Sequence, residues 1–351
     1  MCGTLSRIRK SQVFDGGKLL FLLVLMLFVS SVGLSQVVNS GNDVHIDPEK
    51  KDPAAPTKSN GVKPEDVDLN KLGDRPISVD VNLVLVPVTV TDPMNRLVTG
   101  LDRDNFAIFE GSNQQQIKTF SSEDEPITVG VIFDMSGSMG NKIDKAKQAV
   151  IEFFKTANPQ DEFFLIAFND RPELVADFTS SIEDIQGKLV YPMAKGRTAL
   201  LDAVYLGMNK MRNAKYQKKA LLIISDGGDN RSRYTDSEIK NMIKEADVMI
   251  YSIGLFDVNA PTAEEKAGPY LLNEISDATG GRLFRIDDVS ELSDTAAKIG
   301  IELRNQYVIG YRPVNANHDG KWRKIKVKLL APKGLPQLIV HAKTGYYAPA
   351  Q

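Results

Sequence analysis

The chain has 351 residues, 42% of them hydrophobic and 25% charged, which is ordinary globular composition with enough apolar material for two domains. A net charge of -2 gives no global field for recruiting nucleic acid or an anionic membrane surface. One cysteine, Cys2, and three histidines exclude a disulfide framework and a Cys/His zinc cluster.

Residues 1–35 have the pattern of an export signal. Arg7, Arg9, Lys10 and Lys18 form a basic start, Leu19 to Val29 is uninterrupted apolar sequence, and Gly33 and Ser35 suit cleavage before Gln36. The alternative is a retained N-terminal membrane anchor, but a spanning helix wants roughly 20 apolar residues and this run is shorter. Cleavage leaves no integral membrane segment, and the expected location is the periplasm, cell envelope or exterior. Residues 36–76 are polar, charged and proline-rich without periodicity, the composition of a disordered linker.

Residues 77–125 read as strands. Val79, Val81, Leu83 and Leu85 occupy one phase, and Val84, Val86, Val88 and Val90 the other, which suggests burial on both faces or a bulge near Pro87. Asp92-Pro93-Met94-Asn95 is a turn. Phe106–Glu110 and Gln116–Phe120 flank a second turn at Gly111-Ser112-Asn113.

Residues 126–304 alternate strands with helices. Thr128–Phe133, Phe163–Phe168, Ala220–Ser225 and Val248–Ile253 are short apolar runs of the kind buried in parallel sheets. Helical spacing links Ile143, Ala146, Val150 and Phe153; Leu201, Val204, Met208 and Met211; and Val289, Leu292, Ala296, Ile299 and Leu303. The expected fold class is α/β, a doubly wound, mostly parallel sheet.

Strands return over residues 305–351. Tyr307–Tyr311 is one. Trp322–Leu329 alternates Ile325, Val327 and Leu329 with Lys324, Lys326 and Lys328, and Leu338–Ala342 is a third. Asn317-His318-Asp319-Gly320 reads as a hairpin turn. The strands on either side of the α/β segment are too few for an independent core. Together they suffice, so the expected architecture is an α/β domain inserted into one β-sandwich split in sequence.

The sharpest motif follows the first α/β strand: Asp134-Met135-Ser136-Gly137-Ser138. It places a carboxylate and two hydroxyls on a tight loop, hard oxygen donors of the kind Mg²⁺ accepts. The loop closely resembles the metal-ion-dependent adhesion site of von Willebrand factor type A domains. That pattern also needs a distant threonine and a later aspartate. They map to Thr198, in Lys195-Gly196-Arg197-Thr198-Ala199-Leu200, and to Asp226, at the end of Leu222-Ile223-Ile224-Ser225-Asp226-Gly227-Gly228. The flanking segments 88–92, 100–106 and 305–311 are similar to a bacterial subgroup of exported type A-domain proteins, best represented in acidobacteria.

The resemblance implies metal ligands at Asp134, Ser136, Ser138, Thr198 and Asp226. It implies Mg²⁺, with Mn²⁺ or Ca²⁺ as alternatives, and a protein partner that offers a carboxylate. Against it stand local readings: Asp134 or Thr198 as a helix cap, Asp226 as a turn residue. Asp202 is expected to be exposed or to support a ligand, and Asp229 to be a solvated loop residue. Arg197 would either weaken metal binding or attract an acidic partner. No catalytic set emerges. Ser136 lies outside a Gly-x-Ser-x-Gly elbow, and His45, His318 and His341 fall in the linker and β segments. The alternatives are an envelope assembly subunit whose metal only stabilises the fold and, behind it, a metal-dependent hydrolase. The lysine stripe of 324, 326 and 328 reads as a solvated strand face, not a nucleic-acid surface.

Overall fold

The computed structural model describes residues 44–45, 83–189, 194–257, 262–332 and 334–350. The expected export segment lies outside these residues, as does the expected linker apart from Val44–His45. These two residues form a strand, β1, that pairs in parallel with Val98–Thr99. Among the described residues no helix is long and apolar enough to cross a membrane.

In chain order, β1 is followed by β2 (Val84–Thr91), β3 (Val98–Thr99), β4 (Phe106–Glu110), β5 (Asn113–Gln115) and β6 (Ile117–Ser121). The α/β body then runs β7 (Ile127–Asp134), α1 (Ile143–Lys155), β8 (Glu162–Phe168), β9 (Pro172–Thr179), α2 (Ile182–Leu189), α3 (Leu200–Met211) and β10 (Lys218–Ser225). It continues through α4 (Asp236–Glu245), β11 (Met249–Gly254), α5 (Ala263–Thr279), β12 (Leu283–Arg285) and α6 (Leu292–Arg304). The chain closes with β13 (Tyr307–Tyr311), β14 (Trp322–Leu329), β15 (Ile339–Ala342) and β16 (Gly345–Tyr347).

The central sheet has the order β12-β11-β10-β7-β8-β9. All neighbours are parallel except β9, which is antiparallel to β8 at the edge. Every residue of β7 is buried. Successive side chains of a strand point to opposite faces, so two cores form. Val131, Phe133 and Leu222 pack with α1 and α6 on one face. Ile132, Ile223 and Leu221 pack with α3, α4 and α5 on the other. From β7 the chain moves outward to β8 and β9, then returns to place β10 on the opposite side of β7. The strand order therefore reverses between β7 and β10, and sheets of this type place their sites beyond the carboxyl ends of such strands.

The remaining strands make two antiparallel sheets, β15-β2-β13-β6 and β16-β14-β4-β5. Each draws strands from both sides of the α/β body. Val86, Val88, Ile309 and Tyr311 from one sheet share a single core with Phe106, Ile108 and Ile325 from the other. Pro87 is tolerated because β15 covers only Val88–Thr91, which leaves the outer edge of β2 open at the proline. No bulge occurs there: the β2–β13 register is unbroken from Val84 to Val88. The irregularity lies instead at Gly310/Tyr311 against β6.

Asn317–Gly320 is not a hairpin turn. It joins β13 to β14, which belong to different sheets. Gly320 has a positive φ of 64°, and Asp319 accepts the Lys321 N–H at 3.1 Å and an Arg323 N–H at 2.9 Å. The turn chemistry is real, but it closes a crossover.

Candidate metal centre

Asp134 is the last residue of β7 and is fully buried. Its Oδ1 accepts the Ser136 N–H at 2.8 Å, and its Oδ2 accepts the Ser225 hydroxyl at 2.5 Å. The Ser136 and Ser138 hydroxyl oxygens lie 3.1 Å apart. Ser136 is buried and Ser138 exposed, so the loop climbs from a closed floor to solvent.

Backbone hydrogen bonds stitch this loop to the one before α3. The Gly137 N–H donates to the Gly196 carbonyl at 3.1 Å, and the Lys195 N–H to the Met135 carbonyl at 2.9 Å. Gly196 has φ +84°, and a Cβ there would stand 2.6 Å from Asp170 Oδ2, so glycine is required. Thr198 is clamped to the loop after β10: its N–H donates to Asn230 Oδ1 at 3.1 Å, and its carbonyl accepts from the Asn230 and Arg231 N–H groups. The helix cap of α3 is Ala199, without a side-chain bond, and Asp229 Oδ2 accepts the Leu201 N–H at 2.9 Å. Thr198 is therefore not the cap of that helix. Asp134 is no cap of α1 either, since that position is Lys142.

Asp226 follows β10 and is buried, with Oδ1 accepting the Gly228 N–H at 3.4 Å. Ser225 links the two acidic positions. It donates to Asp134 and accepts the Gly227 N–H at 2.9 Å. Burial, followed by repulsion from Asp226, pushes the Asp134 carboxyl up to about 7, against the hydrogen bonds from Ser136 and Ser225. None of the groups acting on Asp134 is cationic. Asp134, buried beside a second buried carboxylate and met by no cation, is a setting that suits a hard divalent cation. Among the described residues no group of three or more His, Cys, Asp or Glu converges, so the acidic donors at this place number two, Asp134 and Asp226.

One expectation is narrowed and one corrected. Asp202, expected to be exposed or to support a ligand, is buried, which removes the first alternative. Its Oδ1 accepts the Arg233 and Tyr234 N–H groups at 2.8 and 3.2 Å. Asp229 is not a free loop residue, because it also accepts the Ser232 hydroxyl at 2.6 Å. Both carboxylates fold the 229–234 loop against α3 and so hold Asn230 and Arg231 where they clamp Thr198. Arg197 is exposed, with its N–H on Asp170 Oδ1 at 3.1 Å. Sequence reading missed Ser225 and Asp229. The only signal was adjacency to Asp226 and to the Gly227-Gly228 turn.

Residues 129–228, within the α/β body, match the family model described as the von Willebrand factor type A domain. An uncharacterized protein of Borreliella burgdorferi is 24% identical over 45% of this chain and 53% of its own length. The human inter-alpha-trypsin inhibitor heavy chain H4 is 25% identical over 36% of this chain and 15% of its own length. The chain thus spans about half, or less, of the curated relatives it matches. Among solved structures, a von Willebrand factor type A protein from Catenulispora acidiphila aligns with a TM-score of 0.45 and 14% identity, over 69% of this chain and 75% of that one.

Proposed function

We propose that the chain is an exported protein-binding module that takes an acidic group of a partner protein at a Mg²⁺ site built from Asp134, Ser136, Ser138, Thr198 and Asp226. The supporting observation is the buried carboxylate pair at the strand-order reversal, with neutral hydroxyls around it and a solvent opening at Ser138. Bound there, Mg²⁺ would have its charge balanced by the two carboxylates, while five residues fall short of its six-ligand shell. Asp134 and Asp226 contribute the protein's negative charge, and the hydroxyls of Ser136, Ser138 and Thr198 add oxygen donors without adding more. A partner carboxylate reaching the opening would supply the remaining oxygen donor. Mn²⁺ and Ca²⁺ meet the same donors.

In this reading the two antiparallel sheets are one split sandwich that carries the α/β body as an inserted head. The apolar segment Leu19–Val29 directs export, and no residue is assigned a catalytic role. Titrating acidic peptides against the full chain tests it. Binding is expected in millimolar Mg²⁺ and lost with EDTA and in Asp134→Ala; equal affinity in EDTA would overturn the reading. The depth of Asp134 and Ser136 favours a second reading, in which metal only stabilises the fold. A melting temperature that rises with Mg²⁺ without any peptide binding would establish that one instead.

A further inference from the structure

Lys195, Arg197 and Arg231 are all exposed around the centre. Each is fixed to the loops that build it. Lys195 donates its N–H to the Met135 carbonyl and Arg231 to the Thr198 carbonyl, at 2.9 and 3.1 Å. Arg197 immediately precedes Thr198. Neighbouring cations are engaged elsewhere: Arg171 pairs with Glu173 and Arg233 with Asp202, at 3.3 and 3.4 Å. Among the described residues, Lys195, Arg197 and Arg231 enter no ion pair. Two nearby acids keep their charge but accept backbone N–H groups rather than pairing with these cations. Asp170 accepts the Arg197 N–H and lies against Gly196. Glu265, whose stem lies 3.7 Å from a Cβ position on Gly228, accepts the Thr262 N–H at 3.4 Å. Among the described residues, three cations without an ion pair thus stand on the two loops beside the centre. Such a concentration steers and orients an anionic partner.

We infer that this rim docks an acidic protein segment with several neighbouring carboxylates, one at the centre and the next ones against Arg197 and Arg231. Only the first carboxylate rests on the metal reading above. The cations stand on both loops beside the opening, so a single acidic side chain leaves them unmatched. Residues 195–198 and 229–233 contain no aromatic ring on which a base would stack, which favours a peptide over a nucleic acid.

The test uses the full chain and two Gly/Ser peptides, one bearing a single Asp and one a run of four Asp. The probes are titrated at near-physiological salt in Mg²⁺ and in EDTA. The Arg197→Ala/Arg231→Ala double variant is expected to weaken the four-Asp peptide by about tenfold, the sum of two exposed charge contacts. The single-Asp peptide should lose far less, because the Arg231 N–H that holds Thr198 is a backbone group and survives the substitution; the loss should shrink in high salt, and the melting temperature should match the wild type. No loss, equal loss for both peptides, or tighter binding of an oligonucleotide of equal charge would overturn the inference. The metal reading fails separately, if EDTA leaves single-Asp binding intact. In that case the four-Asp peptide in EDTA must still distinguish the double variant from the wild type.

Discussion

A single carboxylate, Asp134, sets the physical character of the centre. In the fold it holds its proton up to about pH 7, whereas an ordinary aspartate releases it near 3.8. Between these values the folded chain binds more protons than the unfolded one, so stability falls as pH rises through that window. Asp134→Asn is isosteric and keeps an acceptor for the Ser136 N–H. Without divalent cation at pH 8 it should raise the unfolding free energy by on the order of 2 kcal/mol, with the gain fading toward pH 4. Calorimetry with EDTA present measures this, and an Asn variant less stable than wild type at pH 8 would refute the account. In Mg²⁺ the order should invert, because only the wild type gains from binding. At this scale the Asp-x-Ser-x-Ser loop was legible because its donors are close in sequence. Ser225 and Asp229 were not, because their roles arise where segments 28 and 91 positions apart meet.

The elements that could be read are those with a clean period. β7, β8, β10 and β11 are near-continuous apolar runs because both faces are covered, and α1, α3 and α6 repeat at helical spacing. β9 escaped because it is an antiparallel edge strand with only Ala176 fully buried. The helix α4 is polar, yet its start carries a capping box, Thr235 with Glu238, that marks a helix in sequence. In α5 a similar box, Thr262 with Glu265, precedes Gly268-Pro269, which reads as a break. The glycine is there because the helix meets the centre. A Cβ on Gly268 would lie 2.7 Å from the Asp226 carbonyl oxygen and from the Gly227 carbonyl carbon, both backbone atoms. Alanine at a helix interior usually stabilises by up to about 1 kcal/mol. Here Gly268→Ala should instead destabilise by about 1–3 kcal/mol, as overpacking does. It should also reduce the Mg²⁺-induced rise in melting temperature, because α5 must retreat from the Asp226 loop. Thermal melts with and without Mg²⁺ give both numbers, and a more stable variant would mean that the contact yields freely.

For the whole molecule, strand counting could say that the flanking segments need each other, but not which strands pair. Each sheet interleaves early and late strands, and Asn317–Gly320 shows that a turn signal does not reveal whether its strands stay together. The tie between the α/β body and the two sheets is likewise invisible in sequence, because it is a buried polar cluster. The Gln306 amide nitrogen donates toward Thr89 Oγ1 of β2 at 3.3 Å and toward the Tyr251 hydroxyl of β11 at 3.2 Å. Tyr251 donates to Glu302 of α6 at 3.0 Å, and Arg282 faces the same carboxylate at 3.4 Å. Burial pushes the Glu302 carboxyl up, opposed by Arg282 and Tyr251, and with Arg282 Nη1 and Gln306 Oε1 already lacking hydrogen-bond partners the cluster has little room to lose another. Tyr251→Phe keeps the ring in its core but strips Glu302 and Gln306 of a shared partner. Leaving buried polar groups unmatched costs about 1–3 kcal/mol. If the cluster couples the parts, calorimetry should show one unfolding transition in the wild type, displaced downward as a unit in Tyr251→Phe. A variant whose α/β body melts earlier while the two-sheet region keeps its wild-type midpoint would show that the parts fold independently and that the cluster only fills the space between them.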